Sequence, residues 1–146
     1  MTKLHGSCAC GSVHYEITDG LIGPITYCHC WRCRKQSGSS FGTTAGIARG
    51  SFRLTSGAAL VKHWESSTGV RRYFAGCCGT PIWKDDEKDR TELGFRLGSL
   101  DEDPLLKSAM HFHVGSKTPW FKITDRLPQE NGGTPFGMSG KDNGEI

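Results

Sequence analysis

The sequence predicts an all-β domain, and three observations carry that reading. Short runs in which apolar and polar residues alternate recur along the chain, as in Val13-His14-Tyr15-Glu16-Ile17-Thr18 and Leu93-Gly94-Phe95-Arg96-Leu97. Side chains alternate faces in a strand, so each run presents one apolar face. Glycine-bearing turns separate the runs at short, regular spacing, and twenty glycines in 146 residues push the same way. No internal repeat, phosphate-cradling glycine loop or long amphipathic helix interrupts the pattern. The seven cysteines fall into three short clusters, placed where they would tie separate sheets together.

A chain of this length fits one domain with a core of its own. Hydrophobic residues make up 36% and charged residues 23%, and the formal charge of +3 is dispersed. That balance suits an anionic small molecule at a local patch better than a nucleic-acid track. The opening Met1-Thr2-Lys3-Leu4-His5-Gly6 lacks the apolar core of a signal peptide, and no stretch approaches the roughly 20 apolar residues that span a bilayer. A cytoplasmic protein with no membrane or nucleic-acid partner is the expectation. An odd cysteine count in clusters too tight for easy bridging argues against a disulfide framework and for reduced, metal-binding thiols.

In chain order, the first alternating strand covers residues 13–18 and closes at Asp19-Gly20. Pro24 opens a second strand over 25–30, which delivers the central cysteines. Residues 34–40 read as a helical turn ending at Gly38, followed by loop. Strands over 41–48 and 52–55 flank the turn Arg49-Gly50, and Ser56-Gly57 breaks the chain before an extended stretch over 59–64. Ser66-Ser67-Thr68-Gly69 forms a hairpin loop leading to a strand over 70–74. The strand at 81–83 starts with Pro81, where a missing donor is tolerated. Residues 85–89 read as a solvated loop without a chemical role. The last strand, 110–114, places His111 and His113 on one face. That face is expected to be wet while Met110, Phe112 and Val114 pack inward; a metal site is the alternative. The domain is placed at 3–128, and the polar, glycine-rich tail over 129–146 is expected to be mobile or to order against a partner chain.

The run Tyr27-Cys28-His29-Cys30-Trp31-Arg32-Cys33-Arg34-Lys35 packs three cysteines into six residues. In an extended strand Cys28 and Cys30 face the same way, and a turn through Trp31 and Arg32 brings Cys33 back to the same point. Three converging thiolates with a spare direction hold zinc with an open coordination position. The alternative is three buried thiols packing as small hydrophobes, but burial alone does not cluster cysteines beside Arg32, Arg34 and Lys35. Two further groups flank the run: Gly6-Ser7-Cys8-Ala9-Cys10-Gly11 upstream and Tyr73-Phe74-Ala75-Gly76-Cys77-Cys78-Gly79-Thr80 downstream.

Together these motifs resemble the family of glutathione-dependent formaldehyde-activating enzymes, which also includes centromere protein V. The resemblance is carried by Gly6-x-Cys8-x-Cys10-Gly11-x-Val13-x-Tyr15 and by Cys28-His29-Cys30-x-x-Cys33-Arg34-Lys35 with Gly38. Arg72-x-Phe74 before Cys78-Gly79-Thr80-Pro81 continues it, and Trp120 and Leu127-Pro128 match the closing segment. It implies a complex coiled β-sandwich of short antiparallel sheets tied by zinc–cysteine clusters, a fold shared with a zinc-containing chaperone of small GTPases. It also implies two zinc ions, a catalytic one on Cys28, Cys30 and Cys33 and a structural one on Cys8, Cys10 and Cys78. One position departs from the family. Where the third cluster normally reads Phe-Cys-x-x-Cys-Gly, Ala75 stands in the first cysteine's place and Cys77 sits beside Cys78. Adjacent cysteines point apart in an extended chain, so Cys77 supplies the fourth structural ligand only if Gly76 and Gly79 permit a bend. The alternatives are a three-cysteine site completed by water, or no structural metal.

The activity implied by the resemblance is that of a zinc-dependent carbon–sulfur lyase acting on a thiol adduct such as S-(hydroxymethyl)glutathione, with the substrate sulfur coordinated to the three-cysteine zinc. A thiol entering the open position is held as a thiolate near neutral pH and can add to an aldehyde, or leave in the reverse direction. Arg32, Arg34 and Lys35 are placed to pair with substrate carboxylates and Trp31 to wall the pocket; a solvated basic loop is the competing reading. A small thiol or thioether is therefore the expected partner, and a homodimer is open. One rival is a non-catalytic, zinc-stabilised binding module whose cluster at Cys28 is closed by a fourth protein ligand such as His29 or His111. The other is a zinc-ribbon nucleic-acid module. Ribbons pair two Cys-x-x-Cys knuckles, whereas this chain has two Cys-x-Cys pairs and no concentrated basic face.

Overall fold

The computed structural model describes residues 3–132. Its elements run β1 (Leu4–Ser7), β2 (His14–Ile17), β3 (Ile22–Cys28), α1 (Trp31–Ser37), β4 (Gly42–Ala48), β5 (Phe52–Ser56), β6 (Val61–Ser67), β7 (Val70–Ala75), β8 (Pro81–Asp86), β9 (Glu92–Arg96) and β10 (Ser108–Phe112), with short 3-10 turns between some of them. The described residues form two compact units. One comprises the residues up to Gly23 with Ala45–Leu106; the other comprises Pro24–Thr44 with those from Lys107 onward.

In the first unit, β1, β2 and β5 form an antiparallel sheet with β2 at its centre. The alternation read from the sequence sets its inner face: Val13, Tyr15 and Ile17 are all at most 1% exposed. Strands β9, β8, β7 and β6 follow one another in a second sheet, with the end of β4 beside β9. Ile47, Ala75, Ile82, Leu93 and Phe95 from this sheet close on the first to form one core. Burying an Ile or Phe side chain of this kind contributes about 1.5–3 kcal/mol. Tyr15 is the centre of the packing: its ring meets Phe95 edge-on at 5.3 Å, and its hydroxyl lies 2.7 Å from Ser99 Oγ. Burial pushes its phenol pKa up, so it stays neutral. Tyr73 on β7 stacks on its cross-strand partner Trp83 on β8 at 4.2 Å.

Two charged residues depart from the sequence reading here. Glu16 is buried despite its place in the polar register of β2, because Arg53 stands opposite it on β5 and pairs with it, and Lys3 adds a second cation. Asp85, expected in a solvated loop, lies on β8 and takes both terminal nitrogens of Arg49 at 2.8 and 3.0 Å. Strand β1 is an addition. Its Leu4-His5-Gly6-Ser7 carries a single apolar side chain, so pairing with β2 rather than a hydrophobic pattern makes it a strand.

In the second unit, β10 pairs with β3 in parallel, the exception to an otherwise antiparallel expectation. The start of β4 lies beside β3 through Thr26 and Thr44, whose hydroxyls are 3.0 Å apart. The cysteine-bearing segment differs from the sequence reading. The strand ends at Cys28, and the helix begins at Trp31 rather than Arg34, with Cys30 as its cap residue. Gly38 ends the helix as expected, in the left-handed conformation (φ 66°) that glycine adopts without strain. The histidine expectation is also corrected. His111 is 2% exposed, not wet, while Met110, Phe112 and Val114 are only half-buried. His113 lies past the strand at φ 56°, which breaks the shared face. Beyond Pro128, Glu130 bonds to His111 and Val114, and Asn131 accepts from Gly115. From residue 133 on, the expected tail lies outside the described residues.

Gly6 faces Tyr15 across the β1–β2 pair, and a Cβ there would lie 2.0 Å from the Tyr15 ring. The ring is tethered through Ser99 and cannot swing aside. Gly6→Ala therefore lowers stability by about 1–3 kcal/mol, measured as a lower denaturant midpoint. An unchanged midpoint contradicts this packing.

Candidate metal centres

The seven cysteines converge on two points, one in each unit. In the first unit the chain leaves β1 into a tight turn. Cys8 N–H donates to Val13 O, Gly11 N–H returns to Cys8 O, and Gly11 turns at φ 79°. Cys8 and Cys10 thereby face the same point, with their sulfurs 3.6 Å apart. The opposing turn joins β7 to β8, where Gly79 N–H reaches back to Ala75 O at 2.7 Å with φ 85° at Gly79. Gly76 passes so close to Leu60 O that a Cβ would sit 2.8 Å from it. This bend brings Cys77 to 3.3 Å from Cys10 and 3.8 Å from Cys8, and Cys78 joins the group. Thr80 secures both turns, since its hydroxyl accepts from Ala9 N–H and contacts Cys78 Sγ. Adjacent Cys77 and Cys78 therefore share one centre with Cys8 and Cys10, all four sulfurs lying within 4.8 Å of one another.

In the second unit Cys28 closes β3, Cys30 precedes α1, and Cys33 lies in its first turn. Cys30 Sγ accepts from Cys33 N–H at 3.3 Å, which fixes the sulfur relative to the helix. The three sulfurs lie within 4.8 Å of one another, with Cys30 and Cys33 buried and Cys28 half-buried. Among the described residues no histidine, carboxylate or further cysteine joins this group.

Both sulfur sets fit a metal. Tetrahedral thiolate ligands at the usual zinc–sulfur distance stand about 3.8 Å apart, and the closest pairs of the four-cysteine group fall at 3.3–3.8 Å. Those separations are far too long for disulfides. The electrostatics agree. Hydrogen bonds to Cys30 and Cys33 raise the Cys28 pKa strongly, and burial adds to them. Cys28 favours the Cys30 thiolate, but Cys33 and burial outweigh it and the net shift is also upward. Thiolates placed this close repel one another, and a cation joining them would relieve that repulsion.

The three cations of the central run differ in exposure. Arg32 is buried with its guanidinium 4.7 Å over the Trp31 ring, and Arg34 Nε donates to His29 O at 3.3 Å. Lys35 is exposed. A feature that sequence reasoning missed lies beside the cluster. His29 is fully buried, its Nε2 2.8 Å from His111 Nδ1, and His111 Nε2 lies 2.9 Å from Asp125 Oδ2. Burial, reinforced by His111, Lys117 and Arg34, lowers the His29 pKa to about 4, so the ring is neutral near pH 7. The bond from His111 holds the Asp125 carboxyl below its ordinary value.

The strand-rich fold thus carries two polycysteine centres, each of which could hold a metal ion. Comparison with known proteins narrows the class. The sequence model for "Glutathione-dependent formaldehyde-activating enzyme" matches residues 3–116, and the chain belongs to that family. A Halomonas elongata protein named "Putative glutathione-dependent formaldehyde-activating enzyme" is 26% identical over 137 residues, 84% of this chain and 82% of that protein. A crystal structure of a Rhodobacter sphaeroides protein shares the fold, with TM-score 0.58 and 21% identity over 68% of this chain and 89% of that one. No helix among the described residues is long and apolar enough to cross a membrane.

The two adjacent cysteines titrate apart. The Thr80 hydroxyl and amide lower Cys78 to about 6, whereas Cys10 foremost, with desolvation second, raises Cys77 to about 12. In chelator-treated protein Cys78 is thus a thiolate above about pH 6 and Cys77 remains a thiol. Alkylation by iodoacetamide, read by peptide mass spectrometry, should rise through pH 6 at Cys78 and stay low at Cys77 up to pH 8. Equal rates at the two positions contradict this assignment.

Proposed function

We propose that this protein is a zinc-dependent carbon–sulfur lyase that acts on a thiol adduct such as S-(hydroxymethyl)glutathione. Cys28, Cys30 and Cys33 hold the catalytic zinc, and Cys8, Cys10, Cys77 and Cys78 hold a structural one. The observation that carries the reading is three convergent sulfurs with no fourth side-chain donor joining them among the described residues. A closed structural site takes four ligands, and a site that receives substrate keeps one position free. Membership of the formaldehyde-activating family and the name of the Halomonas relative support the same chemistry.

Zinc on three thiolates supplies affinity for a further sulfur and lowers the proton affinity of a thiol brought to it. In the lyase direction the carbon–sulfur bond breaks with its electron pair going to sulfur. The hydroxyl loses its proton as the carbonyl forms, leaving thiol and aldehyde; addition is the reverse. The chain's own part is to hold three sulfurs in one place. Cys33 N–H supports negative charge on Cys30, and Trp31 and Arg32, between these two cysteines in sequence, are buried against each other. Neither His29 nor His111 belongs to the sulfur group, which weighs against a centre closed by histidine and with it against the non-catalytic module.

The zinc-loaded protein should bind a small thiol such as glutathione, and Cys30→Ala should weaken that binding by at least about 100-fold, as measured by calorimetry. Equal binding by the chelated protein rules out direct coordination. Reconstituted wild type should carry two zinc ions per chain and Cys77→Ala one, with a lower melting temperature. An unchanged zinc count and melting temperature eliminates Cys77 as a ligand.

A further inference from the structure

We propose that His111 and Asp125 are positioning residues for the three-cysteine cluster, holding His29 and through it the backbone that carries Cys28 and Cys30. The inference rests on the reading that these cysteines hold a metal. His29 is the single residue between two sulfur donors, so any shift of its backbone moves both. The parallel ladder between β3 and β10 ends at the pair Cys28–Phe112, and the backbone past Cys28 depends on other restraints. Three are present. His29 N–H donates to Phe112 O at 2.9 Å, His29 O accepts from Arg34 Nε at 3.3 Å, and the ring meets His111 at 2.8 Å. Two of the three lead to β10.

The far end of the chain of bonds is itself fixed. His111 N–H donates to Pro128 O and His111 O accepts from Glu130 N–H, both at 2.9 Å. Asp125 Oδ1 accepts from Leu127 N–H at 3.0 Å, which holds the carboxylate toward His111. Aromatic rings confine the imidazoles: Tyr27 stands 5.1 Å from His111, and Phe41 stands 5.2 Å from His29. In so apolar a setting each hydrogen bond is stronger than in water.

The proton order comes from the chemistry of the partners. A carboxylate only accepts, so His111 Nε2 carries the hydrogen that meets Asp125. His29 Nδ1 is buried without a hydrogen-bond partner among the described residues, so a hydrogen placed there would be an orphaned buried donor. The hydrogen of His29 therefore sits on Nε2, which donates to His111 Nδ1 at 2.8 Å. The carboxylate at the surface thus dictates the orientation of a ring in the interior, as outer partners do for metal ligands generally.

The test compares wild type, Asp125→Leu, His111→Phe and the conservative Asp125→Asn, titrated with cobalt(II), whose thiolate absorption distinguishes a three-sulfur from a four-sulfur site. The Asp125 side chain is 44% exposed, so its replacement leaves the fold intact even if His111→Phe does not. Asp125→Leu should weaken the three-cysteine site about tenfold or more and leave the four-cysteine site unchanged. Asp125→Asn keeps an acceptor oxygen and should recover most of the loss. Imidazole nitrogen NMR should show hydrogen on His29 Nε2 in wild type and a mixed tautomer in Asp125→Leu. Wild-type cobalt affinity in Asp125→Leu, or hydrogen on His29 Nδ1 in wild type, overturns the inference while leaving the functional reading intact. If wild type binds no cobalt at the three-cysteine site, the functional reading fails and this inference fails with it.

Discussion

Sulfur atoms brought within 4.8 Å of one another are in conflict with themselves. As thiolates they repel one another. A shared cation turns that conflict into the strongest tie in the neighbourhood, because each ionised sulfur becomes a ligand. The chain sets up this conflict twice, with four sulfurs in one unit and three in the other. The local structure around both centres is arranged to hold sulfur directions rather than to complete a sheet. Gly11 and Gly79 turn at positive φ, Gly76 makes room for Leu60 O, and Cys30 keeps an extended backbone (φ −62°, ψ 153°) as the residue that caps a helix.

The two centres differ in what surrounds them. At the four-cysteine centre Cys10, Cys77 and Cys78 are exposed, and the donors come from two turns tied by Thr80. Four donors complete a tetrahedron and leave nothing to exchange. The three-cysteine centre is drier and gathers three sulfur donors among the described residues, and a buried histidine pair lies beside it. Under the proposed function, the four-sulfur centre serves folding and the three-sulfur centre serves chemistry.

Much of this is legible in the sequence. The alternation of Val13, Tyr15 and Ile17 sets the inner face of β2, and the tight cysteine spacing marks both centres. Gly76 and Gly79 announce the bend that lets Cys77 and Cys78 share a point. The features that cannot be read there depend on partners far along the chain. β1 has no pattern of its own and exists because β2 pairs with it. The boundary at Cys30 and Trp31 escapes because cysteine is not a customary cap, so the pattern puts the helix start three residues late. The rule that polar residues of a strand face water puts His111 on the wet side. Its partner His29 lies 82 residues away, and Asp125 carries no local signal at all.

The proposed function depends on a three-sulfur centre with one exchangeable position. Cadmium-113 NMR of the reconstituted protein reads it directly, since the shift rises with the number of bound sulfurs. Two resonances per chain are expected, one in the four-sulfur range and one below it, and only the second should move into the four-sulfur range when a small thiol is added. A single resonance, or two that ignore the thiol, would contradict it.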